Sequence, residues 1–392
     1  MVLILLSLKS FLGGIEYLRY FKTQIAKPRS GYTPFLTIIA PSRGLDDGLA
    51  DNLQALFDQD YPDHEIVFVV DDPADRAVGV INEVCQITAN KRVKTKLVVA
   101  PKAVGCSQKV ENLREGVLHA ADASELFVFV DSDVRPASDW LRDLAAPLED
   151  ENTGASTGYR WFISKRPTFA SELRSAWNAS IASSLGPNTR SNFCWGGSMA
   201  IRRDIFDRLD MRERWVGTLS DDLALTRELN KADLPIIFVP QALTASIEDC
   251  TFGGMLEFTT RQIKITRVYA PKLWLLSFLG SGLFNVVMIS AFLIVIFARQ
   301  NNFSVFAATS TLIIVTVLST AKAWLRLNSV KLVLTEHRTK LTRQFWTQNT
   351  LWLLSPAIFF YNSLAAWSSR RMKWRGTVYE LKSRTETVII AD

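Results

Sequence analysis

The stretch "LFVFVDSDVRP", residues 126–136, runs five apolar residues into Asp131-Ser132-Asp133 and ends at a proline. A run of this kind reads as a buried strand that stops at two carboxylates. Four more short apolar runs share its character: "FLTIIAP" (35–41), "EIVFVV" (65–70), "TKLVVAP" (95–101) and "LPIIFVP" (234–240). Helix-like spacing fills the intervals at 49–58, 76–88, 108–120 and 138–148. Strand and helix alternating in this way predict an α/β fold, a mostly parallel sheet covered on both faces whose strands need not alternate apolar with polar. Sheets of this class bind ligands outside the carboxyl ends of their strands, so the residues after each run matter most.

Those residues are acids. "EIVFVV" ends in Asp71-Asp72-Pro73, and 126–130 ends in Asp131-Ser132-Asp133. Neither GxGxxG nor GxxxxGK[ST] occurs, so the phosphate-binding glycines of dehydrogenases and P-loop enzymes are missing. Two acids one residue apart can converge on Mg²⁺ or Mn²⁺, hard cations that prefer carboxylate and phosphate oxygen and neutralise a diphosphate. Asp and Ser are also ordinary turn residues after a strand, so the motif alone decides little. A third acidic position lies in "GTLSDDLALTREL" (217–229), where Ser220 reads as an N-cap and Asp221 and Asp222 as the first helical turn. The helix dipole stabilises acids there without any catalytic purpose. Adjacent carboxylates nevertheless repel, which raises one pKa toward a general base's range, with Arg227 near enough to offset the effect.

The chain has 392 residues, is 48% hydrophobic and carries a net charge of +6. Its apolar surplus is concentrated. Residues 273–297 and 303–321 contain no charge, and each is long enough to cross about 30 Å of hydrocarbon. Residues 346–369 form a third uncharged stretch with Pro356 at its middle and Gln348, Asn349 and Asn362 along it. Residues 2–15 are apolar apart from Lys9, without a basic leader or a small-residue cleavage site, and read as an uncleaved anchor. Arg19, Lys22, Lys27 and Arg29 follow the apolar run 2–15, and Lys322, Arg326, Lys331, Arg338, Lys340 and Arg343 follow the second span, whereas the turn between the spans has only Arg299. Positive loops stay cytoplasmic, so the polar region 30–270 is expected on the cytosolic face. Both flanks of 346–369 are basic, which predicts a re-entrant hairpin broken at Pro356 and a cytosolic C-terminus. The positive charge suits membrane topology and anionic headgroups, and no aromatic-and-basic module for nucleic acid is present. Cys85, Cys106, Cys194 and Cys250 form no CxxC pair.

In order and spacing, "RGLDDGLADNLQALFDQDYPDHEIVFVVDDPAD" (43–75), "VGCSQKVENL" (104–113), "DSD" (131–133), "CWGGSMAIRRDIF" (194–206) and "SDDLALT" (220–226) resemble membrane glycosyltransferases of family 2, and within them the ceramide glucosyltransferase branch. The resemblance extends to "KWRGTVYEL" (373–381). It implies a GT-A fold, a UDP-sugar donor, a membrane lipid acceptor and inversion at the anomeric carbon. Asp71 or Asp72 would contact the nucleoside, with Asp72 beside Pro73 the better match. Lys109 and Asn112 would help hold the nucleotide, Asp131 and Asp133 the metal and diphosphate, and Gly196 and Gly197 would let the backbone approach the sugar. Asp222, beside Asp221, would take the proton from the acceptor hydroxyl.

One motif departs from the family pattern. Where (Q/R)xxRW is usual, this chain has "RQIKITRVY": Arg261 matches, Lys264 replaces the second arginine and Ile265 the tryptophan. Lysine keeps the charge but loses the bidentate fork for phosphate. Arg261, Lys264 and Arg267 also recur at helical spacing, as on a helix lying along a bilayer surface. The expected organisation is an anchor at 1–24, a GT-A domain at 30–255, an interfacial basic helix at 256–271, transmembrane or re-entrant segments at 272–369 and a basic tail at 370–392. A processive polysaccharide synthase and a non-catalytic nucleotide-sugar-binding protein are the competing functions.

Overall fold

The computed structural model describes residues 1–91, 93–298 and 302–391; Arg299 lies outside them. Two compact units divide the chain. One comprises Gln24–Lys165, Ser184–Glu248 and Arg370–Asp392, the other Met1–Thr23, Arg166–Ser183 and Asp249–Ser369.

The first unit holds strands β1 (Leu36–Pro41), β2 (His64–Val70), β3 (Lys94–Val99), β4 (Leu126–Phe129), β5 (Ala155–Thr157), β6 (Arg160–Ile163), β7 (Met199–Arg202), β8 (Ile236–Phe238), β9 (Thr244–Ile247), β10 (Arg371–Trp374), β11 (Thr377–Leu381) and β12 (Thr387–Ala391). Seven of them form a sheet in the order β3-β2-β1-β4-β7-β5-β8. Four of its six pairings are parallel, and β7 runs antiparallel to both neighbours. In register, Ile39 stands between Val67 and Phe129. Every residue of β1, β2 and β4 is buried, because helices cover both faces, and that is why these runs carry no alternation. The edge strand β3 is mostly exposed and carries Lys94 and Lys96, charges that discourage further pairing. On one face Phe129 packs edge-on to Trp215 at 5.5 Å and Phe127 edge-on to Phe206 at 5.2 Å.

The chain runs outward from β1 through β2 to β3, then crosses to β4 on the other side of β1. That reversal opens a crevice between the carboxyl ends of β1 and β4, where Asp131-Ser132-Asp133 follows β4. Strands β6 and β9 form a separate parallel pair. Within 370–392, expected as a basic tail, the described residues carry the antiparallel sheet β10-β11-β12. Thr377, Tyr379 and Leu381 of β11 alternate inward, a period of two that the surrounding positive charge obscures in the sequence. A two-residue turn, Arg375-Gly376, joins β10 to β11 with φ of 51° and 92°.

The second unit is helical. Val2–Ile25 forms one continuous helix. Pro271–Phe297 (27 residues) and Asn302–Val333 (32 residues) are long and apolar enough to cross a membrane. The third apolar stretch is not one rod: Phe345–Thr350, a 3-10 turn at Leu351–Leu354 and Ser355–Ser368 succeed one another, with Pro356 in the first turn of the last helix, where its missing N–H costs nothing. The 14 residues of that helix span about 21 Å, short of the hydrocarbon thickness. Phe169–Ala182, drawn from within the stretch assigned to the 30–255 domain, belongs to this unit, where Trp177 stacks on Phe359 at 4.8 Å. The basic helix runs Phe252–Tyr269; Arg261 lies over the Phe258 ring at 5.5 Å, and Arg267 donates to the Ala366 carbonyl at 2.6 Å, so its guanidinium serves the last turn of another helix.

Candidate active site

Local sequence explains why the acids meet. Ser107 caps the helix Gln108–Gly116 by accepting the Val110 N–H, and its hydroxyl donates to the Leu219 carbonyl at 2.8 Å. The start of the Lys109 helix is thereby tied to the segment that enters the Asp221–Lys231 helix. Ser220 caps that second helix as its sequence predicts, accepting from Leu223 N–H, and the Trp215 indole N–H donates to the Asp221 carbonyl at 3.0 Å.

Lys109 Nζ sits between the two motifs, 2.7 Å from Asp131 Oδ1 and 3.2 Å from Asp221 Oδ1. Arg160, at the start of β6, places one guanidinium nitrogen 3.0 Å from Asp133 and the other 3.5 Å from Asp131, while its plane lies 4.6 Å from the centre of the Trp195 ring. Burial opposes ionisation of Asp131, yet the Lys109 ammonium and the Arg160 guanidinium outweigh it and hold the carboxyl below its ordinary range. Asp221 behaves oppositely: burial first, then Asp222 and Asp131, push it up to about 7 against the pull of Lys109. Arg227, expected to offset this repulsion, pairs with Glu228 at 2.8 Å. Asp222 is only half-buried. Its carboxylate accepts from the Ser220 hydroxyl, from Leu223 N–H at 2.7 Å and from Gly196 N–H at 3.2 Å.

Gly196 has no room for a side chain, since a Cβ there would overlap the Asp221 carboxylate and stand 2.7 Å from Lys109 Nζ. At Gly197 a Cβ would overlap the Trp195 indole. Asp71 is buried at the end of β2, 2.7 Å from Lys102 Nζ and 3.8 Å from Arg43 Nε. Asp72, the better match by motif, is exposed and spends one oxygen on Ala74 N–H, closing a turn. Asn112 is buried and accepts from the Gln108 amide at 2.9 Å, supporting the loop from Pro101 instead of opening outward. Arg261 and Lys264 belong to the helical unit. Two residues escaped the sequence reading. Arg160 sits in "YRWFI", which carries no motif signal beyond a charge inside an apolar strand; Asp75 accepts Gly44 N–H with both oxygens at 3.0 Å and caps the next helix, a capping signal visible in "DPADRAV".

No group of three or more His, Cys, Asp or Glu side chains able to hold a metal by themselves occurs among the described residues. The acids that are present still fit a hard divalent cation whose remaining ligands come from a diphosphate and water, the usual manner for Mg²⁺. Asp133 Oδ1, Asp221 Oδ2 and Asp71 Oδ1 are all buried without a hydrogen-bond partner, and buried carboxylate oxygens left so are costly unless a ligand satisfies them.

Residues 2–387 match the family Glycosyl transferase family 21. The chain belongs to that family. As a family 21 glycosyltransferase it is 27% identical over 172 residues to a ceramide glucosyltransferase of Candida albicans, covering 41% of this chain and 30% of the relative. It is 23% identical over 246 residues to ceramide glucosyltransferase 3 of Caenorhabditis elegans, covering 62% and 52%. The matches thus span about a third to a half of the relatives' length. Among solved structures, the mannosyltransferase PcManGT from Pyrobaculum calidifontis in complex with GDP-Man and Mn²⁺ aligns over 92% of this family 21 chain and 98% of its own, at 17% identity and a TM-score of 0.45. S. aureus TarS 1-349 in complex with UDP-GlcNAc aligns over 92% and 100%, at 14% identity and a TM-score of 0.40.

The raised Asp221 pKa has a consequence for stability. In the unfolded chain this carboxyl loses its proton near pH 4, in the folded one only near pH 7, so between those values the native state binds more protons and its stability falls as pH rises. The donor-free, metal-free protein should therefore unfold at a higher temperature at pH 5 than at pH 8, and Asp221→Asn should shrink that difference. An unchanged pH dependence in the variant would show that Asp221 is ionised throughout.

Proposed function

We propose that this family 21 protein transfers a hexose, glucose in first place, from a UDP-sugar to the hydroxyl of a ceramide-like or diacylglycerol-like membrane lipid, with inversion, from a GT-A domain on the cytosolic face of a multi-pass membrane protein. The observation that carries the reading is the convergence of Asp131, Asp133, Asp221 and Asp222 around Lys109 and Arg160 at the carboxyl ends of the sheet. Similarity to ceramide glucosyltransferases supports the lipid acceptor and the sugar.

In this reading Asp131 and Asp133 would hold Mg²⁺ or Mn²⁺, which when bound would neutralise the diphosphate and favour its departure. Asp71 receives the nucleoside in preference to the exposed Asp72. Lys109 balances the charge of Asp131 and Asp221 before the donor arrives and faces its phosphates afterwards. The acceptor oxygen bonds to the anomeric carbon as the bond from that carbon to the diphosphate breaks, UDP leaves, and the hydroxyl proton passes to Asp222. Three donors hold the Asp222 carboxylate in one orientation, which is what a general base needs before geometry can help it. Gly196 donates one of those hydrogen bonds and keeps side chains out of the space beside Lys109.

Membranes carrying the protein, given labelled UDP-glucose and a total lipid extract, should yield a labelled glycolipid identifiable by mass spectrometry. Label in a water-soluble polymer would overturn the lipid acceptor. Consumption of UDP-galactose or UDP-N-acetylglucosamine in place of UDP-glucose would overturn the sugar.

A further inference from the structure

The turn that closes the C-terminal hairpin is built against its own sequence preference. A two-residue hairpin turn with both φ values positive favours Asn, Asp or Gly at its first position, yet Arg375 stands there at φ 51°. A bulky side chain held in the left-handed region is strained and persists where the surroundings fix it, often at functional sites. The guanidinium is directed at the crevice. Arg375 pairs with Asp46 Oδ1 at 2.6 Å, and Asp46 Oδ2 accepts at 2.6 Å from the hydroxyl of Ser132, the residue between the two acids of the DxD stretch. Asp133 and Asp131 both act electrostatically on Arg375. The ion pair is not needed to fasten the hairpin: Thr377 accepts from Arg43 at 2.9 Å, the Tyr379 hydroxyl accepts Gln108 N–H at 3.3 Å, and the Thr385 carbonyl packs so closely on Gly217 that a Cβ there would overlap it.

We propose that Arg375 is a donor-binding residue: the tip of the C-terminal hairpin delivers a guanidinium over the DxD stretch, where it binds the diphosphate of the nucleotide and rests on Asp46 when the nucleotide is absent. The inference depends on the nucleotide-sugar reading above and adds to it a phosphate ligand from the far end of the chain. It also locates, within the sheet unit, a forked cation of the kind that the change from arginine to Lys264 removes from the family motif. Arginine suits the task, because its planar fork matches two phosphate oxygens at once. Asp46 keeps the charge compensated until a phosphate displaces it. Burial first, and then the nearby Asp133, push the Asp46 pKa up, and Arg375 is the largest influence opposing that rise.

The test compares UDP with UMP, by calorimetry on the full-length protein in detergent with Mn²⁺ present. Arg375→Ala should weaken UDP binding roughly ten- to hundredfold, as loss of a charge-assisted hydrogen bond does, while UMP binding changes by less than about threefold. Arg375→Lys should restore part of the UDP affinity, and Asp46→Asn, which removes the ion pair and leaves the guanidinium its bond to the Arg43 carbonyl at 3.2 Å, should leave UDP affinity unchanged or raise it. Equal losses for UDP and UMP in Arg375→Ala would mean that the residue only supports the fold and would overturn the proposal, as would UDP affinity equal to that of the unaltered protein. Failure of the unaltered protein to bind any nucleoside diphosphate would overturn the nucleotide-sugar reading itself.

Discussion

Asp222→Asn is expected to lower turnover by roughly 10²–10⁴ while leaving UDP affinity within a few-fold, the usual worth of acid–base catalysis expressed only in the transition state. The two backbone donors use different carboxylate oxygens, Gly196 N–H one and Leu223 N–H the other, so an asparagine with its oxygen on Leu223 N–H keeps the helix start and loses the bond from Gly196 together with the proton acceptor. Asp221→Asn provides the contrast. That carboxylate is buried against Lys109 and faces neighbouring acids, so its neutralisation should disturb the charge balance that donor binding requires and appear mainly in donor affinity. Single-turnover rates with saturating donor separate the two. Full turnover in Asp222→Asn would transfer the base to Asp221 or to another residue.

UDP affinity should fall by at least about a hundredfold when EDTA replaces Mg²⁺ or Mn²⁺, and Asp133→Asn should remove most of that metal dependence. The size follows from electrostatics in a partly dry crevice, where two phosphate charges brought beside Asp131, Asp133 and Asp221 are repelled unless a cation stands between them. Asp133 is chosen because its Oδ1 is buried and unpartnered, whereas Asp131 already has Lys109 and Arg160 on its two oxygens. Isothermal titration with and without chelator reads both quantities. Equal UDP affinity with metal and with EDTA in the unaltered protein would remove the metal role of both acids.

Much of the sheet was legible because its central strands are fully buried and therefore uniformly apolar: the runs at 35–41, 65–70 and 126–130 stand within a residue or two of β1, β2 and β4. Among the strands that the sequence does not announce, two are short and small-residued, "AST" of β5 and "TASI" of β9, whose pairing depends on partners far away in sequence rather than on their own propensity. In the site, Asp131, Asp133, Asp221 and Lys109 were visible as motif residues and lie together. Arg160 was not visible, because an arginine in a strand announces neither its cation–π contact nor its carboxylate partners until the fold brings Trp195 and Asp133 to it. The hairpin was hidden by its charge: Arg370, Arg371, Lys373 and Arg375 suggest a solvated tail, while the residues that make it a sheet, Met372, Tyr379 and Leu381, are spread through the basic stretch and its far side.

The contacts that hold this hairpin join positions synthesised far apart in time. Arg43 reaches Thr377 across 334 residues and Gln108 reaches Tyr379 across 271. Between those partners the ribosome must produce both long apolar helices, 271–297 and 302–333. The sheet unit can therefore form its central strands early, but its last sheet docks only after those helices have been synthesised, so completion of the unit is ordered behind both apolar helices. Closing loops of such length is slow compared with pairing adjacent strands, and the interval leaves the crevice open on one side during biogenesis.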